Sequence, residues 1–358
     1  MPSIDPNAPA RPDSGLFGLD PGATESEVHV IPVAFDATTS YRPGTAGGPA
    51  AILRASHQVD LLCPLFGDTF EAGIHLCEAD PRIAQLGEAA FGPARRVVAA
   101  GGRVANDPKL ESDLAGVNRA CDSLQEVVEA QTSAALDSNK LPIILGGDHS
   151  VPFGAIAACA KRFPGLGILH VDAHADLREA YEGFTWSHAS ILRNVIDRLQ
   201  GVEKLIQVGI RDFCEEERGI MEREGERIEV VFDHEWAAAK ARGANLIETI
   251  RATLERLPNE VYVTVDVDGL APHLCPSTGT PVPGGLEWGE MGLWLTELAA
   301  SGRRVVGMDL VEVAPDPQVP GDQDSFDAIV GARLLYRMAG CAITSRRASV
   351  AGEMPGER

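Results

Sequence analysis

The chain has 358 residues, 44% of them hydrophobic and 23% charged, a size and balance that suit one large α/β domain or two smaller ones. Its 52 acidic against 31 basic residues give a net charge of −21, which argues against nucleic acid or anionic lipid as a partner and is compatible with a cationic one, although a solvated acidic surface accounts for most of it. No apolar run approaches the roughly 18 residues of a membrane span, the opening Met-Pro-Ser-Ile-Asp-Pro-Asn has no basic or apolar region of the kind expected of a signal peptide, and seven scattered cysteines without a CxxC pair suit free thiols in a reducing cytoplasm.

Residues 1–26, rich in Pro, Asp, Gly and Ala, read as a loosely ordered N-terminal arm. Val28–Val33 is the first predicted strand; it leads into the loop Ser40–Pro49, and Pro49 opens a helix over Ala50–Ser56. Lys109–Ser138 carries a helical pattern free of proline. Beyond it, apolar runs at Leu141–Leu145, Gly167–Asp172, Leu205–Gly209, Glu229–Phe232, Val261–Asp266 and Arg304–Val311 read as buried strands. Helical stretches at Phe153–Arg162, Ser190–Leu199, Ala244–Leu257 and Trp288–Ala300 separate most of them, and this alternation implies a parallel, doubly wound α/β sheet. The main domain covers 27–343, and the polar tail 344–358 is expected to be loose.

Three segments end strands with imidazole or carboxylate groups: Leu145-Gly-Gly-Asp-His-Ser150, Asp172-Ala-His-Ala-Asp176 and Val265-Asp-Val-Asp-Gly269. Fully extended, Asp172 and Asp176 would stand about 13 Å apart, too far for one metal site. The chain is therefore expected to leave the strand near Asp172 and curl, so that His174 and Asp176 converge from a loop. Singly, His149 could be a turn or cap residue, and Asp266 and Asp268 could be capping groups. Acids packed together without a cation are costly, however, and all three segments follow strands of one sheet. The two imidazoles and four carboxylates form a hard N/O set that suits Mn²⁺ or a similar divalent ion. Six ligands exceed what one catalytic Zn²⁺ takes and suit two ions about 3.5–4 Å apart.

In their order, Gly-Gly-Asp-His-Ser, Asp-Ala-His-Ala-Asp and Asp-Val-Asp-Gly closely resemble the ureohydrolases (arginase, agmatinase and relatives), and the match spans residues 28–343. The resemblance implies an arginase-like three-layer sandwich around an eight-stranded parallel sheet, assembled as a homo-oligomer, commonly a trimer or hexamer. It implies that His149, Asp172, His174, Asp176, Asp266 and Asp268 ligate the two ions, with Asp172 and Asp266 bridging. Gly307-Met-Asp-Leu-Val-Glu312 resembles the family's late strand, whose glutamate holds the guanidinium; a carboxylate does so through two parallel charge-assisted hydrogen bonds. His188 stands where the family places a catalytic histidine, to carry a proton to the leaving nitrogen, and Asp176 also orients the hydroxide. The implied reaction is hydrolysis of a small cationic guanidino compound to urea and an amine or ammonia.

Substrate choice is less explicit. Cys214 stands where the arginase pattern has a second aspartate, and Leu177-Arg178 replaces the arginase polar pair, so arginine is disfavoured. Asp268-Gly-Leu-Ala-Pro272 and Ser277–Gly285 are similar to agmatinase-type enzymes. Phe35–Tyr41 and Trp186-Ser-His-Ala-Ser190 resemble a branch that includes guanidine hydrolases, some of which use Ni²⁺; Trp186 would there narrow the substrate pocket, unless it only packs the loop. Agmatine, guanidinobutyrate and free guanidine stay open. A deacetylase-like metal amidohydrolase and a catalytically silent paralogue are the competing classes; Glu312 disfavours the first and the intact ligand set the second.

Overall fold

A computed structural model describes residues 5–353 except 12 and 322. Its sheet contains β1 (Val28–Val33), β2 (Ile74–Leu76), β3 (Leu141–Gly146), β4 (Leu166–Val171), β5 (Val202–Ile210), β6 (Ile228–Phe232), β7 (Glu260–Asp266) and β8 (Arg304–Val311). The spatial order is β2-β1-β3-β8-β7-β4-β5-β6, and every pairing is parallel. The helices are α1 (Gly48–Ser56), α2 (Pro81–Ala99), α3 (Pro108–Asp137), α4 (Phe153–Arg162), α5 (Ile191–Arg198), α6 (Glu215–Arg223), α7 (Asp233–Ala241), α8 (Leu246–Leu254), α9 (Trp288–Ala300) and α10 (Phe326–Glu353). None is long and apolar enough to cross a membrane among the described residues.

The central strands are apolar on both faces because helices cover both. On β7, Val261, Val263 and Val265 face a core shared with α1, α8, α9 and α10, whereas Tyr262 faces the opposite core, built with α2 to α6. This period-two division makes the three layers, and it bears out the expected sandwich.

Two differences from the sequence reading concern the ends. The N-terminal arm is packed from about residue 14 onward: Leu16, Phe17 and Leu19 are buried, and Phe17 lies 4.7 Å from the Tyr336 ring of α10. The Phe17 amide donates to Ser56 Oγ, and the Lys140 ammonium donates to the carbonyls of Thr24 and Ser26. Pro and Gly masked this anchoring, because isolated apolar residues give no periodic signal. At the other end, residues 344–353 continue α10 rather than forming a loose tail, and Ser345 is buried, its Oγ accepting from the Val305 amide. Residues 354–358 lie outside the described ones.

Candidate metal and substrate site

Strands β3, β8, β7 and β4 are consecutive neighbours in the middle of the sheet, and each releases a chemistry-bearing segment at its carboxyl end. In register, Leu145 pairs with Leu310, Val265 with Leu310, and Val171 with Val265, so all four strands stop at one level. His149, Glu312, Asp266 and Asp172 therefore meet above that level.

The chain does leave β4 at Asp172. Asp172 Oδ1 accepts the His174 amide at 2.6 Å, and Asp268 Oδ1 accepts the Ala173 amide at 3.0 Å, which ties this turn to the one after β7. Asp176 then takes a left-handed backbone with φ of 54°, and Glu312 does so with φ of 63°. Non-glycine residues rarely adopt that region, and it costs of order 1–3 kcal/mol each. Both positions trade backbone comfort for side-chain aim.

Two clusters result. His149 Nδ1 lies 3.0 Å from Asp172 Oδ2, 3.0 Å from Asp176 Oδ2 and 3.5 Å from Asp266 Oδ2. His174 Nδ1 lies 3.0 Å from Asp268 Oδ2 and 3.5 Å from Asp172 Oδ1. Asp172 thus turns one oxygen to each cluster, whereas Asp266 reaches the first with Oδ2 and accepts the Asp268 amide with Oδ1. All four carboxylates and His149 are buried, and His174 is half-buried.

Such crowding shapes the protonation of the metal-free site. Burial, then the charges of Asp268 and Asp172, pushes the Asp266 carboxyl well above the usual range. Burial, then Asp172, raises Asp176 to about 7. Burial opposes ionisation of Asp172 too, but His170, His149 and His174 outweigh it and hold that group well below the ordinary value. Protons here do the work that cations would do better, so the donor set fits two divalent ions. His149 Nε2 is 2.8 Å from the Thr264 hydroxyl, which donates to Asp309 Oδ1 at 2.8 Å. This buried relay leaves Nδ1 free to ligate.

A cavity of about 200 Å³ opens beside the clusters, lined in part by Ser40, His174, Asp176, Tyr181, His188 and Thr280. His188 is buried and held by Ser40, whose Oγ is 2.9 Å from Nε2, while Nδ1 is 3.7 Å from Glu312 Oε1. Burial, and then the charge of His174, lowers the His188 imidazole to about 3, so it is neutral. Asp148 holds this wall in place by accepting from the Thr38 and Thr39 hydroxyls, just ahead of Ser40. Glu312 sits behind the cavity wall: Oε1 accepts the His149 amide at 2.9 Å, and the buried Oε2 has no partner. A Cβ at Gly279, beside Thr280, would come within 3.3 Å of that oxygen, so glycine keeps the approach clear.

Trp186 departs from its predicted place. It is absent from the cavity wall among the described residues; its Nε1 donates to Asp122 Oδ1 at 2.6 Å, and its ring packs 4.5 Å from Phe153. It braces the loop that carries His188. Sequence reasoning also passed over Ser40, Asp148, His170, Thr264 and Asp309. The strand period offered a signal for two of them, since His170 shares a face with Asp172 and Thr264 with Asp266.

Sheet and site together define an α/β protein with a buried His/Asp centre able to hold metal. The chain belongs to the arginase family, whose sequence model matches residues 26–340. It is 34% identical over 301 residues to the agmatinase of Bacillus anthracis, covering 82% of this chain and 86% of the relative. It is 30% identical over 336 residues to the N(1)-aminopropylagmatine ureohydrolase of Thermus thermophilus, covering 91% and 94%. Among solved structures, the proclavaminate amidino hydrolase of Streptomyces clavuligerus superposes with a TM-score of 0.64 at 27% identity, over 94% of this chain and 96% of that one. The agmatine ureohydrolase of Thermoplasma volcanium gives 0.67 at 24% identity, over 93% and 94%, a likeness of fold.

Proposed function

We propose that this protein hydrolyses a small guanidino compound, agmatine first among the candidates, to urea and an amine. The observation that carries the reading is the unpartnered, buried Glu312 Oε2 next to a cluster of four buried carboxylates. Burial, then the charges of Asp266 and Asp148, holds the Glu312 carboxyl well above its ordinary range. A ligand that brings positive charge and two parallel donors, as a guanidinium does, therefore suits this unpartnered oxygen. His149, Asp172, Asp176 and Asp266 would hold one ion, and His174, Asp172 and Asp268 the other. Two divalent ions bound there would supply hydroxide at neutral pH by acidifying a water between them.

The residues divide the remaining work. Glu312 binds and orients the guanidinium, Asp176 orients the nucleophile, and attack at the guanidino carbon forms the new C–O bond. Neutral His188, held by Ser40, accepts a proton from the hydroxyl newly bonded to the guanidino carbon and passes it to the departing nitrogen as the C–N bond breaks. At the mouth, Asp212 is exposed and pairs with no cation among the described residues, which favours a substrate with a cationic tail. The Bacillus anthracis agmatinase supports the same choice. A second reading, free guanidine, draws on Ser40, which lines the cavity and meets His188 there.

The test is urea release from agmatine, guanidinobutyrate, guanidinopropionate, arginine and guanidine, with Mn²⁺ and Ni²⁺ supplied separately. Agmatine should lead, and Mn²⁺ suits the hard donor set. Preference for guanidine would select the second reading. Purified protein that binds neither ion and releases no urea would be a silent paralogue, and the proposal would fall.

A further inference from the structure

His170 lies on β4 two residues before Asp172, completely buried, with its donor atoms in the same cluster as His149, Asp172 and Asp176. Residue type and distance alone would make it a metal ligand. Its hydrogen bonds assign it differently. Gln207 is its register partner on β5, and the Gln207 side-chain amide lies 2.8 Å from the Ala175 carbonyl oxygen. A carbonyl only accepts, so the Gln207 atom facing it must be the NH₂ group. That NH₂ is also 2.9 Å from His170 Nδ1. Nδ1 must therefore accept, and a neutral imidazole that accepts at Nδ1 carries its hydrogen on Nε2. Nε2 is 2.8 Å from Asp172 Oδ2, so this N–H donates to the carboxylate. A nitrogen bearing hydrogen cannot ligate a cation.

We infer that His170 is not a ligand but a positioning residue: Gln207 fixes its tautomer, and its Nε2–H aims and holds Asp172, the carboxylate common to both clusters. The chain Ala175–Gln207–His170–Asp172 also joins β5 to the turn that carries Asp176, so two ligands of the first cluster depend on it. The metal role of this couple rests on the two-ion reading above; the tautomer does not.

Two measurements keep these apart. In metal-depleted protein, long-range ¹⁵N–¹H correlation on labelled histidine should show His170 protonated at Nε2, and an Nδ1–H signal would overturn the inference whatever the metal content. In the second, Mn²⁺ stoichiometry and affinity are read for wild type, His170→Gln, His170→Leu and Gln207→Leu. A partner removed from behind a ligand weakens binding by about 10- to 100-fold. His170→Leu and Gln207→Leu should show that loss while keeping two ions at saturation, and His170→Gln, which restores an N–H at similar reach, should recover most of it. Loss of one ion outright in both His170 variants would make it a ligand after all. Wild-type affinity in His170→Leu would remove any positioning role. Should His170→Leu fail to fold, Gln207→Leu and the tautomer still decide.

Discussion

Glu312→Gln tests the guanidinium clamp because it should move activity and stability in opposite directions. The substitution keeps the shape and leaves an oxygen to accept the His149 amide, now 2.9 Å from Oε1. It removes the negative charge and the unpartnered acceptor at Oε2. Losing one partner of a buried charged pair costs about 2–5 kcal/mol. At about 1.4 kcal/mol per factor of ten, kcat/KM for the preferred guanidino compound should fall roughly 30- to 4,000-fold. In the free protein the same oxygen is a desolvated group with no donor, a state worth about 1–3 kcal/mol against folding. The denaturation midpoint of Glu312→Gln should therefore rise, as at sites where function is held at the expense of stability. Urea release and chemical denaturation of the same preparation give both numbers. A variant that keeps more than a tenth of wild-type kcat/KM, or one that is both inactive and less stable, refutes the clamp.

Asp266→Ala should lose metal and urea release together, whereas His188→Ala should keep its metal, by elemental analysis, and lose about 10²- to 10⁴-fold in turnover. An active Asp266→Ala enzyme would end the two-ion assignment. Ser40→Ala should lower kcat by up to about tenfold through the loosened His188 ring, with KM little changed; a change confined to KM would make Ser40 a binding group instead. Asp309 provides a pH test, because burial raises its carboxyl to about 6. The folded state then favours the protonated form, so the group costs nothing below about pH 4, and its cost grows between pH 4 and 6 to about 3 kcal/mol. Metal-depleted Asp309→Asn should gain on wild type across that window, and a difference flat with pH would count against it. Trp186→Phe should keep kcat/KM and lose about 1 kcal/mol of stability with the Asp122 bond; altered substrate preference would return Trp186 to the pocket.

The middle of the sheet was legible because its strands announce themselves twice, by apolar runs and by the acids that end them. Leu141–Leu145 and Val261–Asp266 fall within a residue of β3 and β7. The edge strand β2 has three residues, too few to show a period. Helix α2 was hidden by Gly87, Gly92 and the internal Pro93, residues that ordinarily break a helix and are here outweighed by packing of Ile83, Ala90, Ala94 and Val97. At the site, the ligand-type residues could be read in linear order. Their supports could not, since Ser40 meets His188 across 148 positions and Thr264 meets Asp309 across 45. Trp186 was misplaced for the converse reason: adjacency to His188 says nothing about which side of the loop a ring takes.

The common finishing level of β3, β8, β7 and β4 acts as a ruler. A slip of one residue in any ladder would carry a ligand about 3.3 Å along the strand and turn it to the opposite face, against a tolerance for metal–ligand distances of about 0.2 Å. The distance between the two clusters is thus set by backbone pairing such as Val171 with Val265 and Asp266 with Val311, far more rigid than any side chain. Substitutions of apolar residues deep in those four strands should therefore be felt first as altered spacing of the metal centre, while β2 and β6, at the outer edges, leave that measure untouched.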